Sequence, residues 1–385
     1  MNRDFRQDIE GFSEIQREIE ILRKYGFDYT NQRGQVARTI NLLHPKRIYL
    51  KVSEIRQETK TTKSFRLVSL DNYLPPFQAG QYINLFVDLV GIRTSRPYSI
   101  ASPPTQTGYY EIAVRRVEDG FVSNHLLDEV RVGNRFESTA PSGNYFHNPL
   151  FHGNDLVFLA GGSGITPFMS MIREMTDRGL DRRIHLFYGS QRPDDIIFQE
   201  ELDDRARRHK NLTVTHVISE PPGGYTGQKG FITADLVRQM SGDISGQTFY
   251  VCGPEAMYSF CLAELEKLGM ASRRIRREVF GPPRNVAAQP GWPENVSPDA
   301  NFRVEVKGRK QISAKAGDPL IISLEKAGIV VPSSCRSGEC SLCRTKLITG
   351  RVFQAREVKL RKSDRTFGYI HSCLAYPLED LEIMI

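Results

Sequence analysis

No stretch of this chain approaches the run of about eighteen apolar residues that a membrane-crossing helix needs, and its opening, Met1-Asn2-Arg3-Asp4-Phe5, is too charged for a secretory leader. A membrane span is therefore not expected, and cytoplasm is the default compartment. Cysteine is scarce, six in 385 residues, which argues against an oxidised extracellular framework held by disulfides. Tryptophan occurs once. Basic clusters such as Arg273-Arg274-Ile275-Arg276-Arg277 lack the interleaved aromatic platforms of single-strand nucleic-acid binders. Although the net charge is +7, basic residues are interleaved with acidic ones nearly everywhere. That pattern suits anionic cofactors and an acidic redox partner better than nucleic acid. Internal repeats and low-complexity tracts are absent too.

With 39% hydrophobic and 25% charged residues over 385 positions, the composition is that of a globular protein of two or three domains. Four of the six cysteines form a pattern: Cys335, Cys340 and Cys343 follow C-x4-C-x2-C, and Cys373 lies further on. This is the plant-type spacing for a [2Fe–2S] cluster. Gly338 removes a side chain where the wrapping backbone must come close. A structural zinc site is the competing reading, but such sites usually show paired C-x2-C knuckles, and only Cys340 and Cys343 are so spaced. Cys252 and Cys261 lie outside the pattern. Since such a cluster passes single electrons and makes no bonds, the chain should also hold a source that takes electrons from a metabolite.

Residues 1–45 read as a helical extension. Phe5, Ile9, Phe12, Ile15, Ile19 and Leu22 recur at helical steps up to Gly26, and a second helical pattern covers 36–43 before Pro45. Whether this stripe packs on the chain's own body or docks a partner or a second copy stays open. Over 46–150, short alternating strands are expected at 48–52, 64–68, 82–87, 98–101, 110–116 and 135–138, suggesting a small antiparallel barrel. On one of them Arg96 and Tyr98 face one way and Ser99 the other. Gly120-Phe121-Val122-Ser123-Asn124 precedes an apolar helical run at 126–130, so backbone N–H groups there can face a phosphate.

Residues 151–281 alternate strand and helix, implying a parallel sheet. Strands are expected at 156–160, 184–188, 212–218, 248–252 and 275–280. The first runs into Gly161-Gly162-Ser163-Gly164-Ile165-Thr166-Pro167, where Thr166 is expected to cap the next helix and Pro167 suits its first turn. Such a turn lets a pyrophosphate sit against bare backbone. It has no P-loop lysine, which disfavours ATP hydrolysis. Residues 282–300, rich in Pro and Gly, read as an extended linker, and 301–385 as a compact mixed unit around the cysteine loop.

In this order, R-x-Y-S at 96–99, G-x-x-S at 120–123, G-G-x-G-I-T-P at 161–167, C-G-P at 252–254 and the four cysteines resemble the ferredoxin–NADP reductase superfamily. The likeness is to the iron–sulfur flavoprotein reductases that carry a plant-type ferredoxin domain after the reductase module, and it covers about residues 46–385. It implies an antiparallel β-barrel flavin domain, an α/β parallel-sheet nicotinamide domain and an α+β, β-grasp ferredoxin domain. It further implies that Arg96, Pro97, Tyr98 and Ser99 hold the flavin, that Phe121, Val122 and Ser123 bind its pyrophosphate in the FAD form of that motif, and that Val114 and Thr166 line it from the two sides of the domain junction. Gly162, Gly164, Thr166 and Pro167 would carry the dinucleotide, together with Ser190 and Arg192, while Cys252, Gly253 and Pro254 lie beside the nicotinamide. Glu278 and Phe280 match positions near the flavin edge, and Ser99, Cys252 and Glu278 are the catalytic candidates. The cluster ligands would be Cys335, Cys340, Cys343 and Cys373. Where relatives that select NADPH offer a cation for the 2′-phosphate, this chain offers Glu220, so NADH is expected over NADPH. The implied activity is NADH-dependent transfer through FAD and a [2Fe–2S] cluster to a partner such as an oxygenase or other metalloenzyme. A free-standing diaphorase or quinone reductase, or a redox sensor acting through the N-terminal helix, are the alternatives.

Overall fold

The computed structural model describes residues 10–26, 34–354 and 358–385, so Phe5 and Ile9 of the expected stripe lie outside the described residues. The chain forms two units, 1–46 and 47–385. In the first, α1 (Phe12–Tyr25) and α2 (Gln35–Leu43) are each entered through a glycine. Neither helix buries a side chain, and Ile15, Ile19 and Leu22 are 55%, 38% and 36% exposed. Phe12, Ile15, Ile19 and Leu22 recur at helical steps along α1, as the sequence pattern predicts.

The second unit begins with β1 (Ile48–Thr59), β2 (Thr62–Ser69), β3 (Tyr82–Leu89), β4 (Ile92–Ser99), β5 (Tyr110–Arg115), α3 (Phe121–Asp128) and β6 (Arg135–Ser138). The strands pair antiparallel in the order β4-β3-β6-β1-β2-β5, and a bridge from Ile100 to Ile112 draws the two edges together. Alternating residues, among them Leu50, Val52, Phe65, Ile83 and Ile112, fill one core that Val122 and Leu126 of α3 cap. β4 starts at Ile92 rather than near residue 98, because Val90 and Gly91, both at positive φ, make a two-residue hairpin turn from β3. Similarly, α3 starts at Phe121, inside the expected phosphate motif rather than after it.

After α4 (Pro149–His152) come β7 (Asp155–Gly161), α5 (Ile165–Arg178), β8 (Arg183–Ser190), α6 (Gln199–Arg208), β9 (Leu212–Ile218), β10 (Gln228–Lys229), α7 (Ala234–Ser241), β11 (Thr248–Cys252), α8 (Glu255–Lys267) and β12 (Ile275–Glu278). The sheet is parallel, in the order β10-β9-β8-β7-β11-β12. Leu156, Phe158 and Ala160 of β7 face α5 and α6, while Val157 and Leu159 face α7 and α8. Burial on both faces is why this strand reads as a continuous apolar run. The strand order turns back at β7 and β11, which leaves a crevice beyond their C-terminal ends.

The last part comprises β13 (Asn301–Val306), β14 (Gln311–Lys315), α9 (Leu320–Lys326), β15 (Arg344–Thr349), β16 (Val352–Gln354), α10 (Lys362–Thr366), β17 (Tyr369–His371), β18 (Ala375–Pro377) and β19 (Leu381–Met384). Five strands form a mixed sheet, β14-β13-β19-β15-β17, on which α9 buries Leu320, Ile321 and Leu324. The expected extended linker needs correcting. Val286 is buried against Phe353 and Tyr376, and Trp292 meets Phe353 edge-on at 5.3 Å. A lone Trp and a Val find apolar cover there, so this stretch is anchored on the domain that follows it.

Candidate active site and cluster loop

Three parallel strands end level with one another: Cys252 pairs with Ala160 on one side and Glu278 on the other. Beyond Ala160 the backbone makes a 3-10 turn over Gly162–Gly164 that leads straight into α5. The turn presses on the neighbouring strand end, since a Cβ on Gly164 would lie 2.2 Å from the Cys252 carbonyl oxygen. The expectation that Thr166 caps this helix is corrected. Helix α5 begins at Ile165, so Thr166 already lies inside it, and its Oγ1 donates to the Ser163 carbonyl at 2.7 Å. No side chain caps α5; its first N–H, at Ile165, donates back to the Gly162 carbonyl of the turn, and Pro167 carries no N–H. Pro167 sits in the first turn, as expected. Cys252 is buried and its thiol is pushed well up by burial, with Glu278 adding to the effect. The Gly253 N–H donates to the Tyr258 hydroxyl at 3.2 Å.

Ser190 and Arg192 lie at and just beyond the end of β8. Arg192 Nε stands 3.7 Å from Glu220 Oε2, and Gln191 Nε2 donates to the other oxygen at 2.7 Å. The resemblance singled out Arg192 and Glu220 separately; the fold makes them neighbours.

Across the crevice, β4 brings Arg96, Pro97 and Tyr98 to half-buried positions and buries Ser99. Ser99 Oγ donates to Glu278 Oε2 at 3.3 Å. Phe280, two residues beyond Glu278, stays exposed. At α3, Gly120 gives no side-chain cap, and a Cβ there would lie 2.2 Å from Ser123 Oγ. The first N–H groups of that helix, at Phe121, Val122 and Ser123, are therefore available to a phosphate. Val114 needs a correction of place. It packs in the barrel core with Ile112 and Val122, while its neighbours Ala113 and Arg115 face the parallel-sheet domain: Ala113 joins that domain's core, and Arg115 pairs with Asp195. A second tie is Arg173 of α5, which donates to the Ala101 carbonyl at 2.9 Å and to Glu111 at 2.6 Å.

The six cysteines are free thiols. In the loop, Cys335 lies against Cys340 and Cys343 against Cys373, and the Ser337 and Cys340 N–H groups point at Cys335 Sγ from 3.5 and 3.3 Å. Among the described residues no three His, Cys, Asp or Glu side chains converge as one metal ion requires. Two thiol pairs fit the two irons that the C-x4-C-x2-C spacing with a distant fourth cysteine points to. Gly338 has φ +76, and a Cβ on it would meet Leu374 at 2.7 Å, so the loop needs a glycine at that point.

The loop is docked on the barrel. Ser334 Oγ donates to the Tyr82 hydroxyl at 3.2 Å, Asn84 Nδ2 to the Ser333 carbonyl at 3.0 Å, and Thr94 Oγ1 to Glu325 Oε2 at 2.9 Å. Glu325 also holds Arg336 in a buried two-point ion pair at 2.7 and 3.0 Å, while Arg96 Nη1 donates to Thr94 Oγ1 at 2.8 Å. The sequence reading missed this junction. Arg336 is visible inside the cysteine motif, but nothing in the spacing ties it to Glu325, nor Glu325 to a strand of another domain.

Comparison with known proteins agrees with this arrangement. The family described as oxidoreductase FAD-binding domain matches residues 49–147, oxidoreductase NAD-binding domain matches 158–262, and 2Fe-2S iron-sulfur cluster binding domain matches 304–378. The heme-dependent oxidative N-demethylase beta subunit of Ectopseudomonas mendocina is 30% identical over 82% of this chain and 92% of its own length. The glycine betaine monooxygenase reductase subunit of Pseudomonas aeruginosa is 28% identical over 86% of this chain and 93% of its own. Among solved structures, phthalate dioxygenase reductase, described as a modular structure for electron transfer from pyridine nucleotides to [2Fe–2S], superposes with a TM-score of 0.66 at 25% identity, covering 88% of this chain and 98% of that one. The chain belongs to the iron–sulfur flavoprotein reductases, with FAD-binding, NAD-binding and 2Fe-2S domains in that order. It is an NAD(P)H-dependent oxidoreductase whose cofactors are FAD, a [2Fe–2S] cluster and NADH. Among the described residues no helix is long and apolar enough to cross a membrane.

Proposed function

We propose that this chain is the cytoplasmic reductase of an oxygenase system, taking a hydride from NADH and delivering electrons singly to a separate metal-containing oxygenase. The observation that carries the reading is the meeting of three parts at one place: the end of β4, the level strand ends of β7, β11 and β12, and the docked cysteine loop. The relatives described above, reductase subunits of a monooxygenase and a dioxygenase among them, support it.

Bound FAD supplies the conversion of a two-electron donor into single electrons, which the cluster carries onward. In this assignment Arg96, Pro97, Tyr98 and Ser99 hold the flavin, and the uncapped turn at Phe121, Val122 and Ser123 receives its pyrophosphate. Gly162, Gly164, Thr166 and Pro167, with Ser190 and Arg192, hold the dinucleotide against bare backbone. Cys252, Gly253 and Pro254 bound the nicotinamide, so that binding replaces a chance collision with a fixed approach. Glu278 orients the Ser99 hydroxyl and can hold a proton beside it, and Phe280 shields the edge. Cys335, Cys340, Cys343 and Cys373 hold the cluster. The exposed apolar stripe of α1 supports a homodimer through the N-terminal unit.

Purified protein is expected to release FAD and about two irons per chain, and Cys340→Ser to abolish the cluster's visible absorption while NADH still bleaches the flavin. Extracted FMN, iron near four per chain, or loss of both chromophores in the variant would count against it.

A further inference from the structure

We infer that the acceptor protein docks through an acidic surface on a basic face of the cysteine-loop domain, formed by Arg344, Lys346, Arg361, Lys362 and Arg365 with Leu342 and Phe367 as apolar contacts. The inference rests on the reading that the acceptor is a protein.

Charge is the first observation. Residues 301–385 contain 15 Lys and Arg against 9 Asp and Glu, so this part holds +6 of the chain's net +7. Residues 341–371 alone contain 8 against 2, which is that whole excess. The rest of the chain is balanced, so the net basic character belongs to one segment.

The fold gathers part of this segment on one face. Arg344 and Lys346 of β15 stand over the Tyr369 ring at 4.9 and 5.4 Å. Arg344 Nη1 donates to Asp364 Oδ1 of α10 at 2.9 Å, and Lys346 Nζ donates to the Phe367 carbonyl. Asp364 is buried under that pairing. Arg361, Lys362 and Arg365 are exposed and have no carboxylate partner among the described residues. Leu342 and Phe367 are 54% and 64% exposed. Apolar anchors among unpaired cations match the anatomy of a transient protein interface.

Position is the second observation. Leu342 lies between Cys340 and Cys343, Arg344 follows Cys343, and Ser372, next to Cys373, donates its N–H to the Cys343 carbonyl at 3.1 Å. On the other flank, Glu325, Ser333 and Ser334 are already engaged by Thr94, Asn84 and Tyr82 of the barrel. The barrel thus occupies the 325–336 flank, and the basic face borders the flank left for an acceptor. Anionic lipid would match the charge equally, but contact with the cysteine loop has a use only for a redox protein.

The test uses the full-length holoenzyme and its Lys362→Glu/Arg365→Glu variant, with acidic cytochrome b5 and basic cytochrome c as protein acceptors. Stopped-flow bleaching of flavin and cluster by NADH, without cytochrome, should be the same for both enzymes. At low salt the variant's second-order rate with cytochrome b5 should fall about tenfold and that with cytochrome c should rise, both differences shrinking as salt is added. Rates that move together for both cytochromes, or move for neither, would overturn the inference. So would unchanged cytochrome rates with lost binding to phosphatidylserine vesicles, which would make the face a lipid contact. If the wild type reduces ferricyanide but neither cytochrome, the protein-acceptor reading itself fails.

Discussion

Ser99 and Glu278 lie 179 residues apart in sequence, yet the Ser99 hydroxyl donates to the Glu278 carboxyl at 3.3 Å across the crevice between two domains. Burial pushes the Glu278 carboxyl up to about 8; the Ser99 bond opposes the rise, and Glu339 and Cys335 add to it.

Glu278 therefore holds its proton through neutral pH and loses it in mildly alkaline solution. Hydride transfer adds negative charge beside it, so flavin reduction by NADH should slow several-fold as pH rises through about 8. Glu278→Gln, which keeps a neutral donor there, should remove this limb; the same pH profile in the variant would sink the assignment. The stability effect has the same direction. The folded value lies above the ordinary 4.5, so the folded state keeps a proton that the unfolded state releases between pH 4.5 and about 8. Stability should fall as pH rises through that window, and the Gln variant should flatten the fall in thermal melts.

Glu220 occupies the place where NADPH carries its extra phosphate in this reading, and Gln191 and Arg192 hold it there. A surface charge contact of this kind is worth on the order of 1 kcal/mol, or about fivefold. Wild-type kcat/KM should favour NADH by about that factor, and Glu220→Gln should raise kcat/KM for NADPH. NADPH used as well as NADH by the wild type would remove Glu220 from the pocket.

The Thr94 hydroxyl is the hinge of the junction: it accepts from Arg96 and donates to Glu325, which in turn holds Arg336 beside Cys335. Thr94→Val removes both bonds at a cost of roughly 1 kcal/mol. It should slow cluster reduction while leaving flavin bleaching by NADH intact, as read by anaerobic stopped-flow. Glu325→Ala leaves Arg336 buried and unpaired, and should lower stability by roughly 3–5 kcal/mol, seen as earlier thermal loss of the cluster's absorbance. Equal loss of flavin bleaching in Thr94→Val would show that the network serves the barrel alone.

Removing residues 1–45 should leave NADH-driven ferricyanide reduction nearly unchanged, because the residues assigned to chemistry all lie beyond them. The full chain should scatter light as a larger species than the truncated one if the apolar stripe joins two copies. Loss of flavin on truncation would instead place α1 in the reductase core.

Much of this was legible in the sequence. Alternation marked the barrel strands, continuous apolar runs marked the doubly covered strands such as β7, and the cysteine spacing marked the cluster, because each signal is set by residues close together in the chain. Element ends were harder to place: β4 lengthens through a hairpin turn at Val90 and Gly91, and α5 swallows Thr166, both decided by pairing or packing with neighbours.

What only the tertiary structure decided are the meetings between distant segments. Ser99 with Glu278, Thr94 with Glu325, Arg115 with Asp195, and the gathering of Arg344, Lys346 and α10 into one basic face leave no trace in local spacing. Periodicity records which side of an element is apolar, whereas the partner of a polar or charged side chain is chosen by how whole domains dock.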